Sequence, residues 1–139
     1  DHGCFELAAK IMKHLDEKGT KYKYFGTFDG GSVDYPDIAL PVAESVASGE
    51  CERGILVCGT GVGMSIAANK VNGIRASVCS DHFSVKYTRL HNDSNILCLG
   101  GRVVGVGTAL ELVDLFVDTE FEGGRHANRV AKIKEIENK

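Results

Sequence analysis

Two kinds of apolar pattern alternate along the chain. Phe5, Leu7, Ala8, Ile11, Met12 and Leu15 recur at the spacing of one helical face, and Gly19 ends that run. Lys21 to Phe25 is short and aromatic and predicts a strand, followed by a glycine-rich polar loop from Gly26 to Tyr35. Pro36 suits the first turn of a second helix carrying Leu40, Val42, Ala43, Val46 and Ala47, with Gly49 as its stop. Gly54 to Cys58 is a continuous apolar run, the pattern of a strand buried on both faces. After a glycine turn from Gly59 to Gly63, the pattern predicts a helix over Met64 to Lys70 and a strand over Ile74 to Val78. A helix over Asp81 to Leu90, a strand over Asn95 to Leu99 and helices over Val106 to Val117 and Arg125 to Glu137 complete the series.

Short buried strands separated by helices imply an α/β fold. The expected form is a Rossmann-like, doubly wound α/β/α sandwich with a parallel sheet of about five strands. No repeat or linker divides it, so residues 1–139 are expected to form a single domain. The composition, 43% hydrophobic and 25% charged, suits a globular protein with a core. A formal net charge of -3 argues against general nucleic-acid binding, so any anion site has to be built from a few local cations. Cys4, Cys51, Cys58, Cys79 and Cys98 form no CxxC pair and no zinc spacing, which reads as reduced thiols in the cytoplasm. No apolar run approaches the roughly 18 residues of a membrane helix, and no signal peptide is visible.

In open parallel sheets, ligands bind at the carboxyl ends of the strands. Three polar clusters are expected near that edge: Asp1-His2, the segment Cys58 to Gly63, and Ser80-Asp81-His82. Cys58 ends a strand and faces a turn that opens a helix, where N–H groups favour a thiolate and can hold an anionic oxygen. Position alone leaves open whether Cys58 is reactive or merely a small residue finishing a strand. Arg125 and Arg129 are four apart, so two guanidinium groups share a helix face and can converge on one dianion; an ordinary solvated pair has the same spacing.

Read whole, Cys58-Gly-Thr-Gly-Val-Gly-Met-Ser-Ile-Ala-Ala-Asn-Lys70 closely resembles the active-site segment of type B ribose-5-phosphate isomerases. These belong to a wider family that includes galactose-6-phosphate isomerases. Further landmarks recur in order: Asp1-His2-Gly3, Val33-Asp34-Tyr35-Pro36, Gly73-Ile74-Arg75-Ala76, His91-Asn92-Asp93, Gly101-Arg102-Val103-Val104-Gly105 and Glu122-Gly-Gly-Arg-His-Ala-Asn-Arg129. The resemblance spans essentially the whole chain.

It implies an aldose–ketose isomerase for a small sugar phosphate, working through a cis-enediolate in the non-oxidative pentose phosphate pathway. Cys58 is then the base that moves a proton between C2 and C1. Gly59, Gly61, Val62 and Gly63 offer backbone N–H groups to the enediolate, with Thr60 as a hydroxyl partner. His91 opens the furanose ring, helped by Asp1 and Thr60, and Asn92 and Tyr35 contact the sugar. His2, Arg125 and Arg129 hold the phosphate. No metal and no cofactor is expected, because no carboxylate–histidine cluster in the sequence has metal-ligand character. The resemblance also implies a homodimer or tetramer with shared active sites, for which the apolar Val106–Val117 helix and the last helix are interface candidates.

Other residues receive plainer expectations. His14 is a solvated surface histidine, His82 a helix-start residue, and His126 points away from the arginine face. Cys4, Cys51, Cys79 and Cys98 are packing thiols, and Lys70 and Arg75 stabilise structure. Arg102 assists either phosphate binding or the subunit interface. Family members begin with a short apolar strand ending at the Asp-His pair, whereas this sequence opens at Asp1. The resemblance thus implies residues before Asp1 and an open place beside the Cys58 strand. Galactose-6-phosphate isomerase chains diverge at the cysteine–histidine pair or the arginine segment. Keeping Cys58, His91 and both arginines points to a pentose phosphate, with a hexose such as allose 6-phosphate or galactose 6-phosphate as the alternative. A non-catalytic phosphate-binding module is a third reading, weakened by the lack of a P-loop Gly-Lys-Ser/Thr ending or a dinucleotide fingerprint.

Overall fold

The computed structural model describes residues 2–26 and 31–139, with the side chains of residues 2 and 3 outside the description. The elements are α1 (His2–Glu17), α2 (Tyr35–Ala47), β1 (Gly54–Cys58), α3 (Val62–Ala68), β2 (Ala76–Val78), α4 (His82–Asn92), β3 (Ile96–Gly100), α5 (Val106–Asp118) and α6 (Arg125–Ile136). The strands form a parallel sheet in the order β1-β3-β2, with Cys58 opposite Gly100 and Ala76 opposite Ile96.

The central strand explains the layering. All five residues of β3 are buried, and successive side chains take opposite faces. Leu97 and Leu99 pack with Leu7 and Ile11 of α1, Val85 of α4 and Leu112, Val113 and Phe116 of α5. Ile96 and Cys98 pack with Val42 and Ala43 of α2, Leu56 of β1 and Met64 and Ala68 of α3. A continuous apolar run is what a strand between two helical layers needs, and each fully buried Leu or Phe contributes about 1.5–3 kcal/mol. The α/β/α class predicted from the pattern is therefore the observed one.

Buried polar groups tie the layers together. Arg53 donates to the carbonyls of Phe116, at 2.6 Å, and Val117, closing the C-terminal end of α5 where carbonyls lack helical partners. Arg89, a buried residue of α4, donates to the carbonyls of Ser94 at 2.6 Å and Thr119 at 2.9 Å. Arg75 donates to the carbonyls of Asn92 and Asp93, each at 3.1 Å from Nε, which is the structural role expected of it.

Several expectations need correction. Among the described residues three strands pair; the expected count of about five included one before Asp1. The second edge of β1 borders a cavity of about 620 Å3, lined among others by Ala8, Met12, Phe25, Val42, Ile55 and Val57. Lys21 to Phe25, predicted as a strand, runs along this cavity without pairing. Its aromatic pattern signals a half-buried surface, but a strand also needs a paired backbone within about 5 Å, and none pairs with it among the described residues. On α5, Ala109, Leu112, Val113 and Phe116 are all fully buried within the chain, so only its other faces, with Val106, Leu110 and Leu115, remain accessible. Exposed apolar side chains include Val62, Ile66, Val78, Phe83 and Val106, with Ile133 and Ile136 on α6. His14 is not simply solvated: its Nε2 lies 2.9 Å from Asp114 of α5. Among the described residues no helix is long and apolar enough to cross a membrane.

Candidate active site

The end of β1 is held by backbone contacts. The Cys58 carbonyl accepts from Gly101 N–H at 2.8 Å, and the Gly59 carbonyl accepts from Arg102 N–H at 3.0 Å. The chain then reverses at Gly61, whose φ of 82° lies in the left-handed region. Only glycine fits there: a Cβ would stand 2.9 Å from Val78 Cγ2 and 3.0 Å from the Leu99 carbonyl carbon. This reversal aims the Gly61 N–H at Cys58 Sγ, 3.1 Å away, while Thr60 Oγ1 accepts from Val62 N–H at 3.2 Å.

Side chains from other elements close around the turn. The Tyr35 ring covers Gly63, where a Cβ would fall 2.7 Å from the ring edge. The Arg102 side chain passes Gly59, with Cδ 3.8 Å and Nε 3.9 Å from where a Cβ would sit. Cys4 of α1 packs against Gly101 on the same side. Burial, aided by the neighbouring Cys58, outweighs the cations near Cys4 and pushes its thiol up. Burial also raises Cys79 to about 11 and Cys98 to about 12, holding both as inert thiols. Cys58 differs from these three in being half-buried, and it has the Gly61 N–H on its sulfur. Asp81 and His82, the third polar cluster, have structural partners: Asp81 caps α4 by accepting from Ser84 N–H at 2.9 Å, and His82 lies 3.3 Å from Glu111.

A second cluster forms between α4 and α6. Phe83, Tyr87 and His91 are four apart on one face of α4, with ring centroids 4.5 Å and 5.0 Å apart in succession. His91 then stacks on His126 of α6 at 3.9 Å with planes 10° apart. Gly123 and Gly124, both with positive φ, make the turn that starts α6 beside His91. Arg125 and Arg129 stay exposed on one face, while His126 turns inward as expected and is buried. Burial, His91 and Arg125 together lower the His126 pKa. Glu122 brings its carboxylate 3.5 Å from His91 Nε2.

His91, Glu122 and His126 place potential metal-ligand atoms within 4.8 Å of one another. An imidazole binds a metal in its own ring plane, and two nearly parallel stacked planes cannot both contain one ion. The arrangement suits stacking and proton transfer better than chelation.

The two clusters lie at opposite edges of the sheet. Cys58 pairs with Gly100 at the carboxyl end of β3. Helix α4 leaves the carboxyl end of β2 and returns to the start of β3, so His91 and Asn92 reach the amino edge. There the Asn92 side chain accepts from Thr88 at 3.0 Å, and its carbonyl accepts from Arg75, just before β2. Five residues of strand put about 13 Å between the edges. One chain therefore gathers Cys58, Gly59, Thr60, Gly61, Val62, Gly63 and Tyr35 in one place and His91, Arg125 and Arg129 in another, with Asn92 beside the second group. Asp1 and the side chain of His2 lie outside the described residues.

Sequence reasoning gave too little weight to Arg102, Glu122 and His126. A signal was present for each. Arg102 follows two glycines after a buried strand, at the binding edge, and Glu122 and His126 flank the glycine pair before the two arginines.

Comparison with known proteins gives a consistent result. The chain is 50% identical over 137 residues to ribose-5-phosphate isomerase B of Escherichia coli (strain K12), covering 99% of this chain and 92% of that one. It is 43% identical over 136 residues to D-erythrulose-4-phosphate isomerase of Pectobacterium atrosepticum, covering 96% and 88%. Its structure superposes on that of Clostridium thermocellum ribose-5-phosphate isomerase B with a TM-score of 0.95 at 56% identity, covering 99% and 93%. The sequence model of the Ribose/Galactose Isomerase family matches residues 1–133, and the chain belongs to that family.

Proposed function

We infer that this protein is a sugar-phosphate aldose–ketose isomerase, that it interconverts ribose 5-phosphate and ribulose 5-phosphate in the non-oxidative pentose phosphate pathway, and that Cys58 is its base. The observation that carries this reading is the Cys58 turn: a half-buried thiol with the Gly61 N–H on its sulfur, beside Thr60, Tyr35 and Arg102.

His91 opens the furanose with help from Asp1 and Thr60. The Cys58 thiolate takes the proton from C2 of the open aldose and returns it to C1. Between the two transfers a cis-enediolate places negative charge on oxygen. The backbone around Gly59, Gly61, Val62 and Gly63 faces that oxygen, and N–H groups of the first turn of α3 have no partner within the helix. Tyr35 walls the pocket, Asn92 hydrogen-bonds sugar oxygens, and His2, Arg125 and Arg129 hold the phosphate, with Arg102 as a further cation. Proton transfer of this kind requires neither metal nor cofactor.

A homodimer or larger homo-oligomer completes the site. Because one chain puts Cys58 and His91 at opposite sheet edges, the His91, Arg125 and Arg129 of one subunit serve the Cys58 of another. The exposed apolar residues Val62, Ile66, Val78 and Phe83 suit such a contact. A hexose phosphate, allose 6-phosphate or galactose 6-phosphate, is the second reading; the family relative that acts on a four-carbon substrate favours testing chain length directly.

The test is a coupled assay of ribose 5-phosphate and allose 6-phosphate isomerisation with wild type and Cys58→Ala. Wild type is expected to prefer the pentose, and the variant to lose at least about 100-fold in kcat. Turnover surviving in Cys58→Ala would remove the thiolate from the scheme. Preference for the hexose would move the protein to the second reading, and no turnover of either sugar by wild type would leave a binding module.

A further inference from the structure

Glu122 has no part in the scheme above, yet it stands against the ring that opens the sugar. Its backbone N–H donates to the carbonyl of Leu90 at 3.1 Å, which ties the loop to α4 one residue before His91. Its Oε2 lies 3.5 Å from His91 Nε2, in an orientation that the neighbouring glycines allow. His126 covers one face of the His91 ring at 3.9 Å, and Tyr87 approaches at 5.0 Å. The other charged groups gathered at this pair of rings, Arg125 and Arg129, belong to α6. Glu122 is thus the acidic group beside two stacked imidazoles and two arginines.

We propose that Glu122 is a positioning residue for ring opening: it accepts the Nε2 proton of His91 and so leaves Nδ1 to meet the substrate. The proposal rests on the isomerase reading. An imidazole whose one nitrogen is held by a carboxylate has its tautomer fixed and its protonated form stabilised. A separation of 3.5 Å is long for a hydrogen bond, and acid–base pairs often shorten when substrate binds. In the step itself, the anomeric hydroxyl proton passes to Nδ1, the bond between C1 and the ring oxygen breaks, and the C1 carbonyl forms. Nδ1 then returns the proton to the former ring oxygen. Nothing else is consumed, and the imidazolium present between the two transfers sits beside the Glu122 carboxylate.

Ribulose 5-phosphate supplies a discriminating measurement, because its 5-hydroxyl is esterified and it cannot close a furanose. In heavy water its C1 hydrogen exchanges with solvent through the enediolate without any ring step. Isomerisation rates and deuterium uptake at C1 of ribulose 5-phosphate are measured for wild type and Glu122→Gln. The expected result is a loss of at least about 10-fold in kcat/KM for isomerisation, equal in both directions because the overall equilibrium is unchanged, with deuterium uptake within about 3-fold of wild type. A merely structural role would slow isomerisation and uptake alike, and that outcome overturns the proposal, as does the absence of any effect. If wild type turns over neither sugar, the isomerase reading fails and this proposal fails with it. Glu122 is exposed, so the substitution is not expected to affect folding, and an unchanged thermal melt verifies that.

Discussion

The turn after β1 and the surface between α4 and α6 hold residues of one proposed reaction, but different forces build them. At the turn the geometry is set by backbone. Glycines at 61 and 63 let Val78, Leu99 and Tyr35 approach to distances no side chain would allow, and the carbonyls of Cys58 and Gly59 are tied to the segment after β3. The Cys58 thiol needs no conformational search once that frame exists. Between α4 and α6 the frame is made of side chains: three rings in a row, a fourth stacked on them, and two arginines left in solvent. In the proposed scheme the first region is a preorganised half-site, and the second is an exposed half that gains its purpose from a neighbouring molecule. Preorganised donors are most effective where charge develops, and flexible cations suffice to gather a dianion, so the division follows the chemistry.

The largest expected effect breaks or proves that division. Cys58→Ala chains and His91→Ala chains are each expected to be nearly inactive as homo-oligomers. If sites are shared in a two-fold pair, mixing them with subunit exchange produces heterodimers with one intact site of two. A 1:1 mixture then recovers about a quarter of wild-type activity, since about half of the random dimers are mixed. Recovery by purified, co-refolded mixtures is the measurement. No recovery, with subunit exchange shown by tagged chains, would put both residues in one chain's site and contradict the placement at opposite edges.

An intermediate effect compares the same substitution in the two regions. Gly61→Ala forces a Cβ to 2.9–3.0 Å from Val78 and the Leu99 backbone at a φ of 82°. It is expected to cost about 2–4 kcal/mol in unfolding free energy and to displace the N–H on Cys58. Gly123→Ala meets nothing within 4 Å at a φ of 73° and is expected to cost only about 1 kcal/mol. Chemical denaturation of both variants checks the contrast. Equal losses would mean that the turn is no more tightly framed than the α6 loop.

How much of this was legible beforehand differs between the regions for a physical reason. The strands β1 and β3 were readable because burial on both faces leaves a continuous apolar run, and the glycine turn was readable because left-handed backbone demands glycine at Gly61. Lys21 to Phe25 misled because its pattern reports on the side chains, whereas a ladder depends on a neighbouring backbone. The separation of Cys58 from His91 was implicit in the topology. A helix that returns between parallel strands carries its last residues to the amino edge, away from the crevice where ligands of such sheets bind. Glu122 and His126 stayed hidden because their significance lies in ring contacts between α4 and α6, and no local pattern announces which helices will touch.

The smallest expected effect asks whether the framed half-site depends on α1, which reaches it through Cys4 against Gly101. Helix α1 is pinned to α5 by Asp114, whose carboxylate meets His14 Nε2 at 2.9 Å and Lys18 Nζ at 2.7 Å. Partial burial pushes the Asp114 pKa upward, but the bonds from Lys18 and His14 outweigh it and hold the carboxyl below its usual value. A folded-state pKa below the unfolded one means that this contact stabilises at pH above the unfolded value of about 4. The contribution disappears as pH falls through the lower folded value. With both partners partly solvated, Asp114→Asn is expected to destabilise by no more than about 1 kcal/mol at pH 7, a shift of a few degrees in Tm, and by progressively less in acid. If the turn carries its own framing, kcat at pH 7 is unaffected by the substitution. A fall in kcat larger than the loss of stability would make the α1–α5 clasp part of what holds the sulfur in place, and the contrast between the two regions would narrow to one of degree.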